Sequence, residues 1–106
     1  MTLAERFITR GAALRGMTAA PSRFGAPRRA LWLGTRQIAH PRREDVEIRL
    51  TRGVMRRMRD ELRADLRINM RQPGSDWIIV YLRTASDVER AIELLRLAIR
   101  ANTIRG

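Results

Sequence analysis

His40 is the only histidine in the 106-residue chain, and it sits in "QIAHPRRED", where an apolar run gives way to a charged turn. An imidazole changes charge near neutral pH, so His40 is the side chain best suited to act as a general base. A lone histidine at a strand end is as readily a hydrogen-bonded structural residue. Asp60, Glu61 and Asp65 stand close together in "RMRDELRADLR". On a helix Asp60 faces Arg56 and Arg57, and Glu61 faces Arg57 one turn back. Surface ion pairs of this kind contribute only tenths of a kcal/mol each, and they outweigh a reading as a catalytic carboxylate pair. Asp76 suits the amides of a turn, and Met55 and Met58 suit a core. The chain has no cysteine, which removes disulfides, zinc–thiolate sites and redox dithiols. With one histidine besides, no metal site, no cofactor and no catalytic residue is assigned.

A second group of residues is suited to binding. In "RQPGSDWIIVYLR" a polar turn feeds into six residues, Trp77 to Leu82, that are apolar on both faces. Ile78, Val80 and Leu82 point one way along a strand; Trp77, Ile79 and Tyr81 point the other. One set packs on helices. The other lies on the open face of a two-layer fold, where Trp32, out of phase with Leu31 and Leu33, joins it. An apolar patch of this size marks a partner or ligand surface. The candidates are Trp32, Trp77, Ile79, Tyr81 and His40, and the partner is a second copy of the chain or a small apolar ligand. The alternative is that the N-terminal segment or a loop folds over this face.

The third feature is charge. All 22 basic residues are arginine, and the net charge is +11. Residues 1–43 hold nine arginines against Glu5, whereas residues 44–106 hold thirteen against ten acids. A basic segment attracts nucleic acid through counterion release, and Arg23, Arg28, Arg29, Arg36, Arg42 and Arg43 are the candidates. Such binding is expected to be weak and non-specific. The competing reading is a solvated surface with the codon bias of a GC-rich genome. Aromatics interleaved with arginine on an exposed sheet would favour nucleic acid, because bases stack on such platforms. An apolar concavity without arginine would favour a ligand or a dimer.

The elements that position these residues follow from periodicity. Leu3, Phe7 and Leu14 predict an amphipathic helix over 1–16, with Gly11 weakening its middle and Gly16 ending it. The first 30 residues, arginine-rich and nearly acid-free, also resemble a mitochondrial transit peptide. "APSRFGAPRR" (20–29) is a loop. "ALWLGTRQIAH" (30–40) is a hairpin around Gly34-Thr35, with its second strand ended by Pro41. "VEIRLT" (46–51) is a half-buried strand with Val46, Ile48 and Leu50 inward. Thr51 caps a helix from Arg52 to about Ala64, and Leu66, Ile68 and Met70 face inward on the next strand. Gln72-Pro73-Gly74-Ser75 is a type II turn. Ser86 and Glu89 stand at capping-box spacing before a helix to about Asn102. The fold class is α+β: a two-layer sandwich over residues 1–106, one domain, in the order α-β-β-β-α-β-β-α. Its mainly antiparallel sheet has about five strands, with helices on one face. The longest apolar run is six residues, against the ~20 of a membrane-spanning helix. A soluble, cytoplasmic protein is expected, with no membrane partner.

Taken in order, Arg23-Phe24-Gly25, the hairpin ending at His40, the strand-to-helix junction Glu47–Val54, Ser75-Asp76-Trp77 and the closing helix after Thr84 resemble the luciferase-domain family. The resemblance runs over about residues 14–102. It departs after His40, where "HPRRED" replaces the second histidine and Gly/Asp turn that relatives often carry. The resemblance implies the fold and the domain label. It does not carry a light-emitting reaction onto these residues, since the chain has no phosphate-binding glycine-rich loop. The layout also resembles double-wing proteins, whose likeness to DNA-binding folds implies weak DNA binding by the N-terminal arginines.

Overall fold

A computed structural model describes residues 1–24, 28–70 and 74–103. Helix α1 spans Leu3–Ala12, shorter than the predicted 1–16. It begins with a capping box: Thr2 Oγ1 accepts the Glu5 amide (3.0 Å), and Glu5 Oε1 accepts the Thr2 amide (2.7 Å). Gly11 is not merely a weak point. A Cβ there would collide with Leu31 Cδ1 and lie 2.9 Å from Leu95 Cδ2, so the glycine permits close approach of the helix to its neighbours.

The sheet has six antiparallel strands: β1 Met17–Pro21, β2 Arg29–Leu33, β3 Arg36–Arg42, β4 Asp45–Arg49, β5 Ile68–Met70 and β6 Trp77–Val80, in the order β1-β2-β3-β4-β6-β5. The fold is α+β as predicted, with one strand more than expected. The addition is β1, whose "MTAAP" has little strand propensity; it pairs in register with β2 from Met17↔Leu33 to Pro21↔Arg29. Pro41 does not end β3. The two-residue hairpin Arg43-Glu44 closes on the pair Arg42↔Asp45, so the Pro41 nitrogen faces away from β4. It faces the β2 side, where registered pairing already stops at Ala39. A register shift at Leu31/Trp32 places Ile38 and Ala39 both in the core.

Between β4 and β5 the chain forms α2 (Arg52–Arg57) and α3 (Arg59–Ala64) rather than one helix. The break falls at Met58 (φ −108°, ψ 19°); nothing in its residue type foretells it. Leu66 is 94% exposed, contrary to the expected inward alternation. Asp65 explains this: its side chain accepts the Arg67 amide (3.0 Å) and its carbonyl accepts the Ile68 amide (3.0 Å), a turn that throws Leu66 outward. The turn expected at Gln72-Pro73-Gly74-Ser75 lies partly outside the described residues.

The last helix, α4, spans Ala85–Thr103. Its cap is not Ser86/Glu89. Asp87 accepts the amides of Arg83 (2.7 Å) and Thr84 (2.9 Å), two residues earlier. Helices α1 and α4 pack together on one sheet face, and Phe7, Leu31, Ile48, Ile78, Val80 and Leu95 meet in the core between the layers. The other sheet face carries no helix from α1 or α4, and the site lies there. Among the described residues, no helix is long and apolar enough to cross a membrane.

Candidate functional site

Strand alternation puts Ile48 and Ala39 in the core, so His40 on β3 and Glu47 on β4 point to the open face as register partners. The row continues through Ile79 on β6 to Asn69 on β5. Trp77 follows from Ile79 on the same strand. His40 and Trp77 lie 5.2 Å apart between ring centroids. A third ring, Phe24, arrives from the loop after β1: it is 4.9 Å from His40 and 6.2 Å, edge-on, from Trp77.

Gln37 holds that loop in place. It is 3% exposed. Its Oε1 accepts the Arg23 amide (2.8 Å), and its Nε2 donates to Ser22 Oγ (3.3 Å). Ser22 Oγ in turn accepts the Phe24 amide (3.1 Å). Phe24 is thereby fixed over His40 although 62% exposed.

Glu47 is buried beneath this cluster. Its Oε2 lies 3.1 Å from Arg42 Nε, and its Oε1 lies 3.8 Å from His40 Nε2. The other imidazole nitrogen, Nδ1, is 3.1 Å from the Pro41 carbonyl oxygen. The Pro41 carbonyl can accept a hydrogen bond from Nδ1, whereas the 3.8 Å between Nε2 and Glu47 Oε1 is too long for a hydrogen bond. Among the described residues no group of three His, Asp or Glu could hold a metal ion.

Two hollows flank the rings and share Phe24 and Trp77. One, about 320 Å³, is completed by His40 and Glu47. The other, about 300 Å³, is walled by Arg23, Arg36, Gln37 and Arg49. Arg49 is tied to Asp76 Oδ2 (3.1 Å) and to Asn102 of α4. Arg23 and Arg36 have no acidic partner among the described residues; Arg23 lies over the Phe24 ring at 5.9 Å.

The candidates named from sequence are thus only partly brought together. Trp77 and His40 share the cluster. Ile79 is on the same face but buried. Tyr81 stands apart at the β5 side, accepting Asn69 Nδ2 on its hydroxyl (2.9 Å) with Arg83 over its ring. Trp32 pairs with Gln37 on β3, and its indole N–H is buried with no partner among the described residues. The arginines do not form one stripe. Arg28 and Arg29 line a groove beside Met1, Glu5 and Ile8, Arg42 pairs with Glu47, and Arg43 sits in a hairpin turn with φ 56°. Among the described residues Asp76 bonds the start of α2 and Arg49 rather than its own turn. Its Oδ1 accepts the Arg52 amide at the start of α2 (2.9 Å). Glu61 pairs with Arg90 of α4.

Phe24, Gln37, Glu47 and Arg49 are the site residues that residue-by-residue reading missed. An aromatic inside a Pro/Gly-rich loop was the available signal for Phe24. For Glu47, alternation predicts only that it faces away from the core.

No curated protein and no solved structure matches the chain. The family profile described as luciferase domain matches residues 35–98, from the hairpin turn before β3 into the last turns of α4. This span is narrower than the sequence resemblance and leaves Arg23 and Phe24 outside it. It holds Arg36, Gln37, His40, Glu47, Arg49 and Trp77 together with more than half of the fold, and the chain belongs to the luciferase-domain family.

Proposed function

We propose that this luciferase-domain protein is a binding module that takes a small ligand on its open sheet face, against Phe24 and Trp77. The ring cluster with its two flanking hollows carries this reading. Aromatic walls with a few convergent polar groups are the usual make-up of a small-molecule site. Self-association through the same face is the less supported form, because two unpaired arginines rim the cluster and a second copy would bring two more against them. The test is fluorescence enhancement of anilinonaphthalene sulfonate, an aromatic anion. Trp77→Ala and Phe24→Ala are expected to weaken its binding by roughly tenfold, as loss of an aromatic anchor does. Enhancement that survives both substitutions unchanged would refute the site.

Arginines interleaved with rings on a sheet also favour a second reading, binding of single-stranded nucleic acid. That binding is expected to be weak and to vanish by about 200 mM salt. The scatter of Arg28, Arg29, Arg42 and Arg43 away from the hollow supports the small ligand over a strand tracked along the surface.

A further inference from the structure

The hollow between Arg23, Arg36, Arg49 and the two rings carries a more specific conclusion, which rests on the ligand-binding reading above. We infer that it accepts a nucleotide unit: a planar base against Phe24 and Trp77, and a phosphate at Arg23 and Arg36. The charge in the hollow is not self-compensated. Arg49 has Asp76 at 3.1 Å, but Arg23 and Arg36 face no carboxylate among the described residues. Guanidinium groups that converge without an acid are suited to an oxyanion, and a phosphate presents enough acceptor oxygens for both. The rings supply what a bare anion site lacks. Phe24 and Trp77 present apolar, π-bearing surface beside the guanidinium groups, and bases of any identity stack on such surface. The size agrees: about 300 Å³ admits one nucleotide and not a folded polymer.

The site is also built rather than incidental. Gln37, buried at 3% exposure, spends both ends of its amide on Ser22 and the Arg23 backbone. That fixes the backbone of Arg23 and Phe24 at the rim before any ligand arrives, and preorganisation of this kind lowers the ordering cost of binding. Arg36 is placed independently, one residue after the Gly34-Thr35 turn, in register with Leu33. Arg23 and Arg36 therefore come from different elements and meet at one hollow only in the fold.

The nucleotide has two sources, a free nucleotide or one residue of a single strand, and calorimetry on the full chain separates them. The probes are AMP, adenosine, inorganic phosphate and a single-stranded oligodeoxyadenylate. AMP is expected to bind at least about tenfold more tightly than adenosine or phosphate alone, since each of those lacks one half of the contact. Arg36→Glu is exposed and is expected to leave the melting temperature near wild type while cutting AMP affinity by about tenfold or more and sparing adenosine. An oligonucleotide that binds no more tightly per nucleotide than AMP points to the free form; one that binds much more tightly points to the strand. Equal affinity for AMP and adenosine, or an Arg36→Glu variant that binds AMP like wild type, overturns the nucleotide assignment. It leaves the ligand site intact if anilinonaphthalene sulfonate still depends on Trp77. Failure of every probe, that dye included, removes both.

Discussion

Thr51 adopts φ 80°, ψ 148°, a region that β-branched residues avoid and that glycine occupies freely. It is held there from both sides: its amide donates to the Asp76 carbonyl (2.9 Å), and the next amide, that of Arg52, donates to Asp76 Oδ1 (2.9 Å). In return Thr51 Oγ1 lies over the Val54 amide as the cap of α2. Strain and capping oppose each other at one residue, which makes a sign prediction. Thr51→Ala keeps the strained backbone and loses the cap, and is expected to cost about 1 kcal/mol. Thr51→Gly loses the cap but relieves a strain of about 1–3 kcal/mol, so it should unfold at higher denaturant than the alanine variant. Chemical denaturation of the two proteins checks the order, and alanine above glycine would show that the freedom glycine adds to the unfolded chain outweighs the relieved strain. Residue type alone announced the cap. The positive φ was not legible, because it is imposed by Asp76, 25 positions away in sequence.

The contacts among α3, β5 and α4 run through a small set of charges. Asp65 accepts from Arg67 Nε (2.9 Å) and Arg90 Nε (3.1 Å), and Arg90 also reaches Glu61 and Glu93. The hydrogen bond from Arg67, more than the burial that opposes it, brings the Asp65 carboxyl down to about 2. Burial pushes Asp87 upward, but the Arg83 and Thr84 amides outweigh it and leave it below the usual carboxylate range. A carboxylate whose folded value is depressed contributes stability above its unfolded value, and that contribution disappears as pH falls through the folded one. For Asp65 the window runs from about pH 4 to pH 2. Asp65→Asn is therefore expected to be less stable than wild type near neutrality by on the order of 1 kcal/mol, after allowance for solvent screening. The difference should close by pH 2, and melts at pH 7, 4 and 2 report it. A gap that stays open at pH 2 would place the loss in packing instead. Sequence spacing had paired Glu61 with Arg57 on its own helix. The observed partner, Arg90, belongs to α4, and only tertiary packing brings the two together.

Across the whole molecule, what was legible is what periodicity encodes. The alternation of Val46 and Ile48 and the double-sided run from Trp77 appear as strands, although β4 stops before Leu50 and β6 stops at Val80, short of the expected Leu82; Val88 to Ala98 form a buried helix face. The open face with Trp77 and His40 was foreseeable for the same reason. Phe24 over His40 was not, because a loop's landing place depends on side-chain hydrogen bonds such as those of Gln37. The arginines named for nucleic acid do not share one surface for a related reason: Arg28 and Arg29 line a groove beside α1, whereas strand and turn geometry turn Arg42 to Glu47 and leave Arg43 in a hairpin turn. The sheet order has a consequence for assembly. Strands β1 to β4 are neighbours in both sequence and space, whereas β6 enters between β4 and β5 after the chain has passed through α2 and α3. Pairing that must wait for distant chain to return is slow to form. In pulse-labelled hydrogen exchange during refolding, amides of β3 and β4 at their shared border should be protected before those of β6, with simultaneous protection as the contrary result. Until β6 arrives, β4 is a raw edge and the ring cluster lacks Trp77, so in a newly made chain His40 and Phe24 wait for a strand that lies beyond α2, α3 and β5 before the three rings can meet.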